Sequence, residues 1–65
     1  MKIARKNLER LEEFGITVTI EGTAAGGLFP IIHATKGDNK KGFIVYEQDQ
    51  ESLVKFIIKE MEEYA

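Results

Sequence analysis

The chain contains no cysteine and no tryptophan, and only one proline, one histidine and one serine among its 65 residues. Without cysteine there is no disulfide framework and no thiolate zinc site, the usual staples of very small secreted folds, so a reducing, cytosolic home is expected. No apolar run approaches the roughly 18 residues that a membrane-spanning helix needs. The basic start (Lys2, Arg5, Lys6) leads into mixed charge where a secretory signal would carry an apolar core. A soluble, unprocessed chain with no membrane partner follows as the expectation. At this length a folded chain buries only about 60% of the surface its unfolded form exposes, which supports one core and one domain, residues 1–65.

Scarcity also limits the chemistry. His33 lies in a strand-like stretch with no obvious carboxylate two or three positions away, and a general base or metal ligand needs convergent partners. Ser52 reads as first-turn helix chemistry, with no nucleophile motif around it. The turn at Ala24, Ala25, Gly26 and Gly27 lacks the spaced glycines and the Lys-Ser/Thr ending of a phosphate cradle. Around Asp38 and Asn39, the lysines at 36, 40 and 41 would repel a calcium ion. Neither an enzyme nor a cofactor or metal site is expected.

What is present is a clear alternation of periodicities. Ala4, Leu8, Leu11 and Phe14 recur at steps of four and three, predicting one stripe of a helix over about residues 2–14 that Gly15 stops. Ile16, Val18 and Ile20 then alternate with Thr17 and Thr19, a period-2 pattern of β-branched residues that predicts a strand. The EGTAAGG stretch from Glu21 to Gly27 reads as a hairpin turn. Strand two covers about Leu28–Thr35, with its regular part at Ile31–Thr35, because Pro30 belongs at a strand's beginning, at an edge or at a bulge. A turn over Lys36–Gly42 leads to strand three at Phe43–Glu47. Asp49 is placed to cap a second helix from near Gln50 by accepting from the Ser52 amide, with Glu51 in the dipole-favoured first turn. Val54, Ile57, Ile58 and Met61 make its apolar stripe, which Leu53, Phe56 and Tyr64 widen.

Each helix has one apolar stripe, so both should pack on one face of the sheet. The expected fold class is α+β, with the order α-β-β-β-α: a three-stranded antiparallel meander under two helices. The opposite sheet face is then open. Strand three must send either Phe43 and Val45 or Ile44 and Tyr46 outward, and such a pair would offer a contact surface for a partner or for a second copy in a homodimer. Singly exposed apolar residues are also ordinary in monomers.

Charge is divided along the chain. Residues 1–45 carry seven basic and five acidic side chains, and residues 46–65 carry two basic and six acidic. Imbalances of this size also arise simply to keep a small protein in solution. The α-β-β-β-α order resembles the double-stranded-RNA-binding domain in topology. That family grips phosphates with lysines at the start of its second helix. Here the corresponding place holds Glu47, Asp49 and Glu51, which would repel them. Weak, salt-sensitive nucleic-acid binding through Lys36, Lys40, Lys41 and the Arg5 and Lys6 side of helix one is the alternative reading.

A broader resemblance covers about residues 3–58. Thr17, Val18, Ile20, Gly22 and Thr23, then Ile31 and Ile32, Asp38 and Asn39, Glu47, Asp49, Glu51 and Ser52, and finally Lys55, Phe56 and Ile57 follow one family's pattern. The chain resembles a small anti-CRISPR family of temperate phages of Gram-positive bacteria, which inhibits the RNA-guided nuclease of type II-A systems by imitating DNA. Many matched positions are also what any fold of this kind would select. The family's acidic segment after the second helix has no counterpart in these residues, and Lys40 and Lys41 stand in the hairpin where acidity is expected. The resemblance implies a non-enzymatic phage or prophage protein, working in the cytoplasm of a bacterial host. Its partner would be a host protein, a CRISPR nuclease being the implied target, occluded by a contact built from Asp38, Asn39, Glu47, Asp49 and Glu51.

Overall fold

A computed structural model describes residues 2–46 and 49–64. Helix α1 spans Arg5–Glu13 and ends where Gly15, at φ +75°, takes the left-handed conformation and donates its N–H to the Glu12 carbonyl at 2.8 Å. This is one residue short of the expected end. Phe14, predicted for the core stripe, is the helix's C-terminal flanking residue and is 51% exposed, because the chain is already turning into the sheet. Leu11 is fully buried, as its place in the stripe requires.

Strand β1 runs Ile16–Ala24, four residues beyond the predicted end at Ile20. The extension is possible because its pairing with β2 (Phe29–Lys36) slips by one residue between Ile20 and Thr23, where Gly22 at φ +129° absorbs the bulge. The hairpin turn therefore shrinks to a single 3₁₀ turn, Ala25–Gly27. Pro30 is the second residue of β2 and pairs with Thr23 just past that bulge, the kind of position that tolerates a missing donor.

Strand β3 covers Asn39–Ile44, starting four residues earlier than predicted. Gly37 at φ +61° and Asp38 alone make the turn, which lets Lys36 pair with Asn39 directly. The lysines at 40 and 41 and Gly42 thus lie inside the strand. Glu47, the predicted end of this strand, lies outside the described residues. Helix α2 spans Gln50–Met61, and Asp49 caps it as expected: its Oδ2 accepts from the Ser52 N–H at 3.2 Å and the Ser52 hydroxyl at 2.7 Å.

The fold is α+β in the order α1-β1-β2-β3-α2, with antiparallel sheet order β1-β2-β3. Both helices lie on one sheet face. Ile16, Ile32, Ala34, Phe43 and Val45 point up into a core completed by Leu11, Leu53, Val54, Ile57 and Met61. The parity of β3 settles which pair faces out. Phe43 and Val45 are buried, so Ile44 and Tyr46 face the open side.

Candidate protein-binding face

Residues that pair across antiparallel strands share a face, so the registers lay the open side out in rows. One row is Thr17, Thr35 and Lys40, the next is Thr19, His33 and Gly42, and the next joins Ile31 to Ile44. Extending the β2–β3 register by two residues sets Phe29 opposite Tyr46, and their rings meet edge to face with centroids 4.8 Å apart. The polar rows lie toward the β2–β3 turn and the apolar rows toward the other end. There Tyr46 is 66% exposed, Ile44 42%, and Leu28 at the rim 74%.

At the junction of the two zones, His33 Nδ1 is closed off from solvent and faces the Glu21 carboxylate. Lys40 Nζ stands 4.0 Å from the same carboxylate. The His33 ring lies across Gly42: a Cβ there would come within 3.0 Å of its Cδ2. Gly42 is thus a gap in β3 that the histidine covers from the β2 side. His33 has a carboxylate partner after all, twelve positions back in sequence, where only the hairpin brings it near.

Beside the apolar rows, the outer edge of β3 and the flank of α2 enclose an apolar groove of about 210 Å³, lined chiefly by Phe43, Ile44, Tyr46, Leu53 and Phe56. Phe43 and Phe56 meet there edge to face at 5.5 Å. Phe56 was expected to widen the core stripe of α2. It lies at the margin of the core, about half exposed, because α2 leans over β2 and leaves its own outer side beyond the β3 edge.

The residues expected to form one charged contact occupy two places. Asp38 is exposed at the β2–β3 turn and Asn39 opens β3, whereas Asp49 and Glu51 stand at the start of α2. The length of β3 lies between them, about 20 Å at the usual rise of a strand. Asp49 is engaged as the cap, and the two Ser52 hydrogen bonds hold its carboxyl below the usual carboxylate range. Glu47 lies outside the described residues. Asp49 and Glu51 line a hollow with Lys6, Asn7 and Arg10 of α1, on the helix side of the sheet.

The basic residues of the alternative reading do not converge. Lys41 Nζ is 3.0 Å from Glu60 and 3.4 Å from Glu63, which raise its pKa above the ordinary lysine value. Lys40 faces Glu21, Lys36 is half-buried on the helix side, and Arg5 and Lys6 are exposed on α1. Since α1 runs from the apolar end toward the β2–β3 turn, Arg5 and Lys6 are a strand's length from the hairpin lysines.

Sequence reasoning missed Leu28, Phe29 and Ile31 as surface residues. The signal was the β2–β3 register, which becomes readable only once the turn is known to be two residues long. Among the described residues, no group of three or more His, Asp or Glu side chains is placed to hold a metal ion, and no helix is long and apolar enough to cross a membrane. Comparison with protein-family models, with curated proteins and with solved structures yields no match.

Proposed function

We propose that this protein works by binding another protein, with no chemistry of its own, through the apolar end of its open sheet face. The observation that carries the reading is the row formed by Phe29, Ile31, Ile44 and Tyr46 with Leu28 at its rim, large apolar groups gathered at one end of a sheet face that no helix covers. A patch of this kind costs solubility unless it is used. Its aromatic content is that of an interface core.

The resemblance to phage inhibitors of type II-A nucleases supports a finer version: a phage or prophage protein that occludes a nuclease in the bacterial cytoplasm. In that version Asp49 and Glu51 at the start of α2 meet basic nuclease side chains, and Asp38 and Asn39 make a separate, second contact. DNA cleavage by a type II-A nuclease should fall as this protein is added, and Tyr46→Ser should relieve the block. Undiminished cutting at large excess would sink the inhibitor version. The binding version fails if Leu28→Ser and Tyr46→Ser leave every interaction found by crosslinking in the host unchanged. Because the basic groups are dispersed and two of them face carboxylates, no shift of DNA or RNA mobility is expected at moderate salt.

A further inference from the structure

We propose that α1 is a detachable strap: together with the residues just before it, it leaves the start of α2 and unfolds as a unit, hinged at Gly15, while the sheet and α2 stay folded. The helix is weak by its own sequence. It is nine residues long, and isolated helices below about 12–15 residues are marginal in water. Ala4 at its N-cap has no side-chain oxygen for the free amides of the first turn. Its charges mostly oppose its dipole, with Arg5 and Lys6 in the first turn and Glu12 and Glu13 in the last, where Arg10 has the favourable sign.

What holds α1 is therefore external to it, and it is concentrated in a few places. Leu11 is the one residue that α1 contributes to the core cluster, whose other members all lie beyond Gly15. None of the ion pairs among the described residues ties α1 to another element. The polar ties run to a single side chain: Gln50 takes the Ala4 N–H and the Asn7 amide on one oxygen and donates to the Lys2 carbonyl. Beside it Lys6 and Arg10 line one side of a hollow and Asp49 and Glu51 the other, which draws the basic half of α1 toward the acidic start of α2. Release at the first residues of α2 thus frees the whole segment.

The far end of α1 is a joint. Gly15 sits at φ +75° with nothing within 4 Å of the place a Cβ would take, and Phe14 before it is half exposed. The unit left behind keeps the three-stranded sheet, the Phe43–Phe56 ring contact and the link from Lys41 to Glu60. Opening bares the seats of Ile3 and Leu11, apolar surface on the helix side that the closed form hides. The motion is independent of what the open sheet face binds.

Native-state amide hydrogen exchange, read by NMR in rising sub-denaturing urea, tests it. The amides of Glu9 to Phe14 should open at least about tenfold more often than those of β2 and the middle of α2. Their exchange should also respond less steeply to urea, because undocking exposes less surface than unfolding. Phe43→Leu removes a ring contact inside the unit that stays folded, so it should speed exchange in β2 and α2 by roughly tenfold and leave Glu9 to Phe14 unchanged. Gln50→Ala loosens the closed form itself and should speed both groups, by roughly five- to a hundredfold. One opening free energy and one urea slope for the whole chain overturns the proposal, as does a Phe43→Leu variant that speeds the two groups equally.

Discussion

The side-chain amide of Asn7 donates to Gln50 Oε1 at 2.9 Å, joining the first turn of α1 to the first residue of α2 across 43 positions of sequence. The same oxygen accepts the Ala4 N–H at 3.0 Å, and Gln50 Nε2 donates to the Lys2 carbonyl at 2.9 Å. Ala4 sits at the N-cap of α1 and has no side-chain oxygen to offer, so Gln50 ties down the chain end that a local cap would otherwise order. Asn7 is 5% exposed, the one buried polar residue among those described.

Losing that clasp leaves Asn7 buried with an unsatisfied amide. Gln50→Ala should therefore destabilise the fold by about 1–3 kcal/mol, the usual penalty for orphaning a buried polar group. Urea unfolding followed by circular dichroism measures it. Asn7→Leu, which removes the orphan as well, should cost less when combined with Gln50→Ala than the two single changes added together.

The core admits little loss. Ile57 is fully buried between the sheet and both helices' apolar sides. Ile57→Ala should cost about 2–5 kcal/mol. By the per-residue rule a chain of this length has on the order of 3–10 kcal/mol in all. The variant should melt at a clearly lower midpoint, followed by near-ultraviolet dichroism, and a cooperative transition close to the wild-type midpoint would contradict the assigned core.

Two charged groups give the stability opposite pH limbs. Asp49 titrates lower in the folded chain than in the unfolded one, so its contribution is complete above the unfolded pKa and is lost as pH falls through the folded value. Lys41 titrates higher in the folded chain, chiefly through its hydrogen bond to Glu60, so its contribution is complete below the unfolded pKa and is lost as pH rises through the folded one. Asp49→Asn, which keeps an acceptor for the Ser52 amide, should flatten the part of the acid limb due to this residue. Lys41→Met should flatten the alkaline limb. Thermal midpoints across pH check both.

Leu28 projects from the rim with most of its surface in water. Leu28→Ser should alter stability by no more than about 0.5 kcal/mol. Tyr46→Ser, which also breaks the ring contact with Phe29, should cost about 1 kcal/mol. If the apolar end is the contact surface, each should weaken partner binding by roughly tenfold or more, as central aromatic and aliphatic anchors do. Isothermal titration against the partner separates this loss from the small changes in stability.

Much of the fold was legible because hydrophobic period is a local property. The strand at Ile16–Ile20, the Gly15 stop, the Asp49 cap and the stripe of α2 all follow from residues a few positions apart. The errors fell where register decided: β1 ran past Ile20 because a bulge at Gly22 let it, and β3 began at Asn39 because Gly37 and Asp38 alone could turn the chain. The candidate site suffered most from this. Asp38 and Asn39 in the hairpin were expected to join Glu47, Asp49 and Glu51 in one charged contact, and a strand's length lies between the hairpin pair and the start of α2.

By itself, the sequence determined the element types, their order and the two apolar stripes, since these depend on spacings of two to four residues. It could also bar disulfides and a membrane-crossing helix from composition alone. Only the tertiary structure decided that Ile44 and Tyr46 face out while Phe43 and Val45 face in, because a one-residue change in register inverts every side chain of a strand. It likewise set His33 against Glu21, closed Gln50 over the start of α1, and put β3 at the end of the strand order. Those are contacts between residues far apart in the chain, set by how strands align and where helices lean, and no local pattern encodes them.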